Sequence, residues 1–213
     1  MLRALQRLLE TIYDVPTPHG VDDFLIPQPA LQAGNAAVDE QVLVAEDDGD
    51  GASIGVFLDP QVLSRLDVAS PLDRLDDANL ADFCTVMEGI SHFHYLAWNT
   101  GHDRAVSRLE LELQAEVDKY ISSRWLLCRQ SASRVAPGLH WLLFEHAHVD
   151  PSLAGPDYAL YQTAHRYAAR YCRDLDRRLA SDRRGSRRAA VAELRRFYRC
   201  GPLRKLRHID QLA

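Results

Sequence analysis

Apolar residues recur along most of this chain at intervals of three and four. Leu2, Leu5, Leu9 and Ile12 keep that spacing and predict an amphipathic helix over residues 2–13. Next comes DVPTPHGVDDFLIPQPALQAGNAA, in which four prolines break regular structure; only residues 24–26 suit a short strand. The period then shortens to two. Val42 and Val44 alternate before the acidic, glycine-containing turn EDDGDG, and Ile54, Val56 and Leu58 alternate after it, which predicts a hairpin.

From Asp59 onward the helical period returns. DPQVLSRLD suits a short helix with Pro60 in its first turn. A long helix is expected over about residues 77–98. A second follows in SRLELELQAEVDKYISSRWLLCRQ, with Ser107 as N-cap and Glu110 three residues on. LELEL alternates as a strand would, but Val117, Tyr120, Ile121, Arg124, Leu127 and Cys128 continue at helical spacing, and the helix prevails. PGLHWLLFEHAHVDP is apolar on all sides and predicts a buried helix between Pro137 and Pro151. Tyr161, Ala164, Ala168, Tyr171, Leu175 and Leu179 form the cleanest stripe of all. Gly185 and Ser186 punctuate before another helix, which Gly201-Pro202 ends; Leu203, Leu206, Ile209 and Leu212 suit a docked last helix.

The expected fold is therefore mainly α and bundle-like, an α+β chain with a small antiparallel hairpin near its N-terminus. Residues 1–213 read as a single domain. Residues 1–60 hold the first helix and the β portion; residues 61–213 are helical, with a basic last third.

Composition narrows the setting. At 46% hydrophobic residues the chain can bury a sizeable core. Its longest apolar runs, such as 125–128 and 141–144, are far short of the roughly 20 residues of a membrane span. Arg3, Arg7 and Glu10 interrupt the N-terminus, against a signal peptide. Cys84, Cys128, Cys172 and Cys200 form no C-x-x-C pair and read as buried thiols of a reducing cytoplasm. The expectation is a soluble, cytoplasmic chain with no membrane partner.

Charge is unevenly spread. Residues 1–160 carry 10 Lys+Arg against 25 Asp+Glu, a net of −15; residues 161–213 carry 15 against 5, a net of +10; together they give −5. Either the two portions face each other in one fold, or Arg183, Arg184, Arg187 and Arg188 present a basic surface to nucleic acid or an acidic partner. Arginine makes up 23 of the 25 basic residues, so its density in the tail is partly background. Tyr158, Tyr161, Tyr167, Tyr171, Phe197 and Tyr198 interleave with these arginines, a mixture that serves stacking and phosphate contacts. Tyr161 and Tyr171, however, lie on their helix's own apolar face, which favours core packing.

Candidate chemistry concentrates in EGISHFHYLAW, residues 88–98. At about 100° per residue, His94 falls inside the apolar arc of its helix, whereas Glu88 and His92 lie on the polar side, one turn apart. His92 and His94 then do not form one chelating unit. Glu88 and His92 read as a solvated pair, and His94 must find a partner for its ring nitrogens. Glu145-x-x-His148 has the spacing of half a di-iron carboxylate motif, present once where two are needed. Glu116 sits at the edge of an apolar face, with Glu112 and Lys119 outside it, so a Glu116–Lys119 surface ion pair is the alternative use of Glu116. His165 lies beside the Tyr161–Ala168 stripe. The candidate ligands of one divalent transition metal are thus His94 (or His92), Glu145, His148, Glu116 and His165.

Other motifs fail. In EDDGDG, placing Gly51 at the glycine of an EF-hand puts Phe57 where a glutamate is required, and strands flank the turn. The chain has no G-x-S-x-G, P-loop, G-x-G-x-x-G or H-E-x-x-H. Without a complete chemical motif the favoured reading is a non-catalytic binding or adaptor protein with a protein partner. A metal-binding protein or metal-dependent enzyme with a His/Glu site between helices is the first alternative. Nucleic-acid binding through the Arg-rich third is the second.

Overall fold

Side chains that alternate at helical spacing bury one face only when another element covers it, and here three long helices do most of the covering. The computed structural model describes residues 1–27, 39–46, 52–131, 138–146, 156–180 and 184–212. Helix α1, Leu2–Tyr13, buries Leu2, Leu5, Leu8, Leu9 and Tyr13. It ends at Asp14, whose φ of 57° is a left-handed conformation that aspartate tolerates.

Strands β1 (Glu40–Glu46) and β2 (Ala52–Leu58) form the expected antiparallel hairpin, with Val42 opposite Val56 and Val44 opposite Ile54. The strand expected over residues 24–26 reduces to one bridge. A 3-10 turn, Val21–Phe24, leads into Leu25, which pairs with Val56, and the Ile26 amide donates to the Val56 carbonyl at 2.9 Å. The acidic turn expected at residues 47–51 lies outside the described residues. Helix α2, Pro60–Val68, starts at an Asp59 cap whose Oδ1 accepts from the Gln61 amide at 2.7 Å.

Helices α3 (Leu80–Thr100) and α4 (Arg108–Gln130) run antiparallel. Tyr95 meets Glu110, Ser91 meets Asp118, and Glu88 meets Lys119 in succession. Ser107 caps α4 as expected, its Oγ accepting from the Glu110 amide at 3.3 Å. Helix α6, Pro156–Ala180, lies parallel to α4, with Arg108 against Asp157, Glu116 against His165 and Arg124 against Asp176.

Between α4 and α6 the described residues form the short α5, Leu139–Trp141, which passes into a π turn, Leu142–His146; residues 147–155 lie outside the described residues. The buried helix expected between Pro137 and Pro151 is corrected to that extent. Leu139 of α5 and Phe144 of the π turn are buried, while Trp141 is 53% exposed. Helices α7 (Arg184–Arg199) and α8 (Pro202–Asp210) complete the described structure. Tyr171 stacks on Phe197 with ring centroids 4.0 Å apart, and Tyr13 stacks on Tyr198 at 4.2 Å, so these aromatics are core.

The protein is mainly α with a small antiparallel hairpin. None of its described helices is long and apolar enough to cross a membrane. The four cysteines are free.

Candidate metal centre

Glu88 and His92 stand one turn apart on α3, and Glu112 and Glu116 stand one turn apart on α4. Because the two helices run antiparallel, His92 comes opposite Glu112 and Glu88 opposite the Glu116 turn. The hairpin crosses this pair of helices at Gly89. A Cβ at Gly89 would meet Leu58 Cδ2 at 2.8 Å and Glu40 Cγ at 3.0 Å, so the missing side chain is what admits β1 so close to α3.

Glu40 of β1 thereby reaches His92, with Oε1 3.2 Å from Nδ1. On the other side of the ring, Nε2 lies 3.4 Å from Glu112 Oε2. That second contact is within ion-pairing distance but lacks hydrogen-bond geometry, and Nε2 has no hydrogen-bond partner among the described residues. His92 is 5% exposed and Glu112 6%. The solvated Glu88/His92 face expected from the helical wheel is therefore corrected. The direction is the polar side of α3, but β1 and α4 cover it.

Among the described residues, one group of histidine, cysteine or carboxylate side chains places all its ligand atoms within 4.8 Å of one another: Glu88, His92 and Glu112. Burial alone would push the His92 imidazole down, but the Glu40 and Glu112 carboxylates outweigh it and hold its pKa well above the ordinary histidine value. Glu40 moves up, because burial outweighs the attraction of His92. The Tyr161 hydroxyl is also raised, by burial and by the Glu112 and Glu88 carboxylates, and Arg108 Nη2 donates to it at 3.4 Å. The site is not sealed, since the Glu88 side chain is 27% exposed.

One turn along lies a second charged layer. Lys119 Nζ donates to Glu88 Oε2 at 2.8 Å and to Glu116 Oε1 at 2.9 Å. The expected Glu116–Lys119 pair thus forms, but the Lys119 side chain is only 14% exposed and its ammonium is shared with Glu88. His165 Nε2–H donates to the Phe144 carbonyl at 3.1 Å, and Nδ1 lies 3.4 Å from Glu116 Oε2. Burial would raise the Glu116 carboxyl, yet Lys119 and His165 beside it hold its pKa at about 2.

Of the residues proposed from sequence as ligands, the structure joins only Glu116 and His165. His94 is buried, as its place in the apolar arc implied, but both nitrogens are occupied: Nε2–H donates to the Val15 carbonyl at 3.0 Å and Nδ1 accepts from the Tyr198 hydroxyl at 2.7 Å. Burial lowers its pKa to about 4, so it is a neutral core histidine. Glu145 is on the surface, accepting from Arg173 Nη2 at 2.9 Å. His148 lies outside the described residues. Sequence reasoning passed over Glu40 and Glu112. The available signals were Gly89, a glycine in a helix interior beside a histidine, and LELEL, whose alternating carboxylates both point into protein.

Most described arginines of the basic third are exposed, but several are tied back to the protein. Arg195 Nε donates to the Ile12 carbonyl at 3.0 Å, and Arg199 donates to the Tyr13 and Asp14 carbonyls at 3.0 and 2.6 Å, so α7 closes the C-terminal end of α1. Arg178 bridges Asp174 and Glu193. Arg187 and Arg188 are on the exposed side of α7, Arg184 opens that helix, and Arg183 lies outside the described residues. A cavity of about 800 Å³ also lies away from the His/Glu group, among Ile12, Trp125, Leu175 and Leu194. Of the guanidinium groups that line it, Arg124 pairs with Asp176 and Arg195 with α1.

Comparison with known protein families, with curated proteins and with solved structures finds no match to this chain. Function must be argued from the site alone.

Proposed function

We propose that this chain is a metal-binding protein that holds one divalent ion between α3 and α4, through His92 Nε2, Glu112 and Glu88. The carrying observation is the state of His92. One ring nitrogen is tied back to a carboxylate, Glu40, and the other is buried without a hydrogen bond beside two more carboxylates. A metal-ligating histidine has this second-sphere arrangement, in which a carboxylate fixes the tautomer and orientation of the ring. One imidazole among several carboxylate oxygens suits Mn²⁺, Fe²⁺ or Zn²⁺ rather than a soft ion such as Cu⁺. The partial exposure of Glu88 leaves a way in for the ion and for a water or substrate beside it. The four free thiols favour a reducing, cytoplasmic setting.

The test is elemental analysis of protein purified without chelator or His-tag, followed by equilibrium dialysis against Mn²⁺ and Zn²⁺. One equivalent is expected in the native protein and none in His92→Gln, with circular dichroism confirming that the variant folds. Failure of the native protein to take up either ion would overturn the proposal.

A further inference from the structure

We infer that Lys119 stands where a second cation would sit, and so limits the site to a single ion. The inference rests on the metal-site reading above and concerns its stoichiometry. Helices α3, α4 and α6 bring ligand-type side chains together in two adjacent layers. The first holds His92 and Glu112, backed by Glu40; the second holds Glu116 and His165, with Glu88 reaching both.

His165 repeats the arrangement of His92. Its Nε2–H is tied to a protein oxygen, the Phe144 carbonyl, and its Nδ1 faces a carboxylate. The second layer thus offers two carboxylates and an oriented imidazole, the residue types of one half of a paired-metal site, spread wider than the 4.8 Å of the first group. Its centre, however, is filled. The Lys119 ammonium lies between Glu88 and Glu116, 2.8 and 2.9 Å from their oxygens.

A lysine ammonium is a compact point charge with three donors, and it neutralises two carboxylates without bringing a coordination sphere. An arginine would spread a planar fork across the same space. In a chain with 23 arginines and two lysines, one of the lysines occupies this position. The ammonium is paired with both carboxylates at once. A dication entering the second layer would therefore meet a fixed positive charge, and Glu88 keeps one oxygen committed to Lys119.

The experiment counts ions with Mn²⁺ alone, by equilibrium dialysis and elemental analysis, in the native protein, in Lys119→Met and in Lys119→Met/His165→Ala. Expected values are one, two and one equivalents. Two equivalents in the native protein, or one in both native and Lys119→Met, would overturn the inference while leaving the metal site standing. No ion in any of them would sink the metal-site reading and this inference with it. Should Lys119→Met fail to fold, the native protein still decides. Electron paramagnetic resonance of the Mn²⁺-saturated form should show the six-line signal of an isolated ion, and an exchange-coupled spectrum would overturn the inference.

Discussion

Lys119 and Lys205 are the only lysines of the chain, and both are turned inward, yet their surroundings are opposite. Lys119 sits between two carboxylates at a site open on one side. Lys205, on α8, is 0% exposed, and among the described residues its ammonium hydrogen-bonds to no carboxylate. Nζ donates to Gln114 Oε1 at 2.7 Å and to the Tyr95 hydroxyl at 2.9 Å, and it lies 4.3 Å from the centre of the Tyr95 ring and 5.1 Å from that of Phe197. Glu110 and Asp118 are one hydrogen bond further out, Glu110 through Tyr95 and Asp118 through Gln114. Burial therefore governs, and the Lys205 pKa falls to about 7, whereas that of Lys119 rises. Depth alone does not set the charge of a buried lysine. What decides is which atoms lie at hydrogen-bond distance.

The strongest way to break the comparison is to replace each lysine by arginine. At Lys205 five donors in a rigid fork would face two acceptors within a closed aromatic and amide shell, so overpacking and unsatisfied donors combine. Lys205→Arg should lose about 3–4 kcal/mol of stability. At Lys119 two carboxylates and partial exposure accommodate the larger group, and Lys119→Arg should cost about 1 kcal/mol. Urea denaturation followed by circular dichroism measures both. Equal losses would mean that the two sites are not different in kind.

A gentler contrast uses pH. Lys205 has a native pKa of about 7 against an ordinary 10.5. Between those values the unfolded chain holds a proton that the native protein lacks, so stability rises as pH climbs from 7 toward 10.5. Below 7 both states are protonated, and the full cost of burying the ammonium is present. Lys205→Met, which keeps the apolar stem and removes the charge, should therefore be more stable than the native protein at pH 6, on the order of 2–3 kcal/mol, with the advantage fading toward pH 10. The groups facing Lys205 include Glu110, Asp118, Arg104 and Cys200. Of these, Asp118 is raised to about 6 by burial, against the hydrogen bonds it accepts from Ser91, Tyr13 and Gln114. Its contribution has the opposite slope, lost between pH 3.8 and 6, so the two titrations fall in separate windows. Denaturation midpoints that stay parallel from pH 6 to 10 would reject the lowered Lys205 pKa.

The same contrast explains what could be read in the sequence. His94 was legible in burial, because its apolar arc turns it inward, but not in role: it was expected as a metal ligand, whereas Tyr198 and Val15 occupy both its nitrogens. The hairpin was legible from its period of two. His92 was legible in direction but not in burial, since the polar side of α3 becomes interior only where β1 crosses at Gly89, and local spacing carries no information about which strand arrives there. Glu112 was misread for a related reason. Helix α4 is covered by α3 on one side and α6 on another, while Lys205 of α8 reaches its Gln114. An enclosed helix has polar groups satisfied within the protein, and its amphipathic stripe no longer marks the solvent side. The ion pairs of the Arg-rich third were legible only as a choice between two readings, and Arg195 and Arg199 turn toward α1 because its terminal carbonyls need donors.

The smallest predicted effect sharpens the comparison through salt. In metal-free protein, Glu88→Gln removes one of the two carboxylates on Lys119 and leaves Glu116 in place. With Glu88 partly exposed, the loss should be at most about 1 kcal/mol in dilute buffer. In molar salt the loss should shrink toward zero, because charges near the surface are screened. Gln114→Met, which takes from Lys205 its closest acceptor, acts in a sealed region where mobile ions do not enter, and its cost should not change with salt. Paired urea titrations of the two variants at low and high sodium chloride test this directly. A salt-insensitive Glu88→Gln would place Lys119 in the same closed interior as Lys205, and the open, ion-accessible character argued for the carboxylate cluster would fall with it.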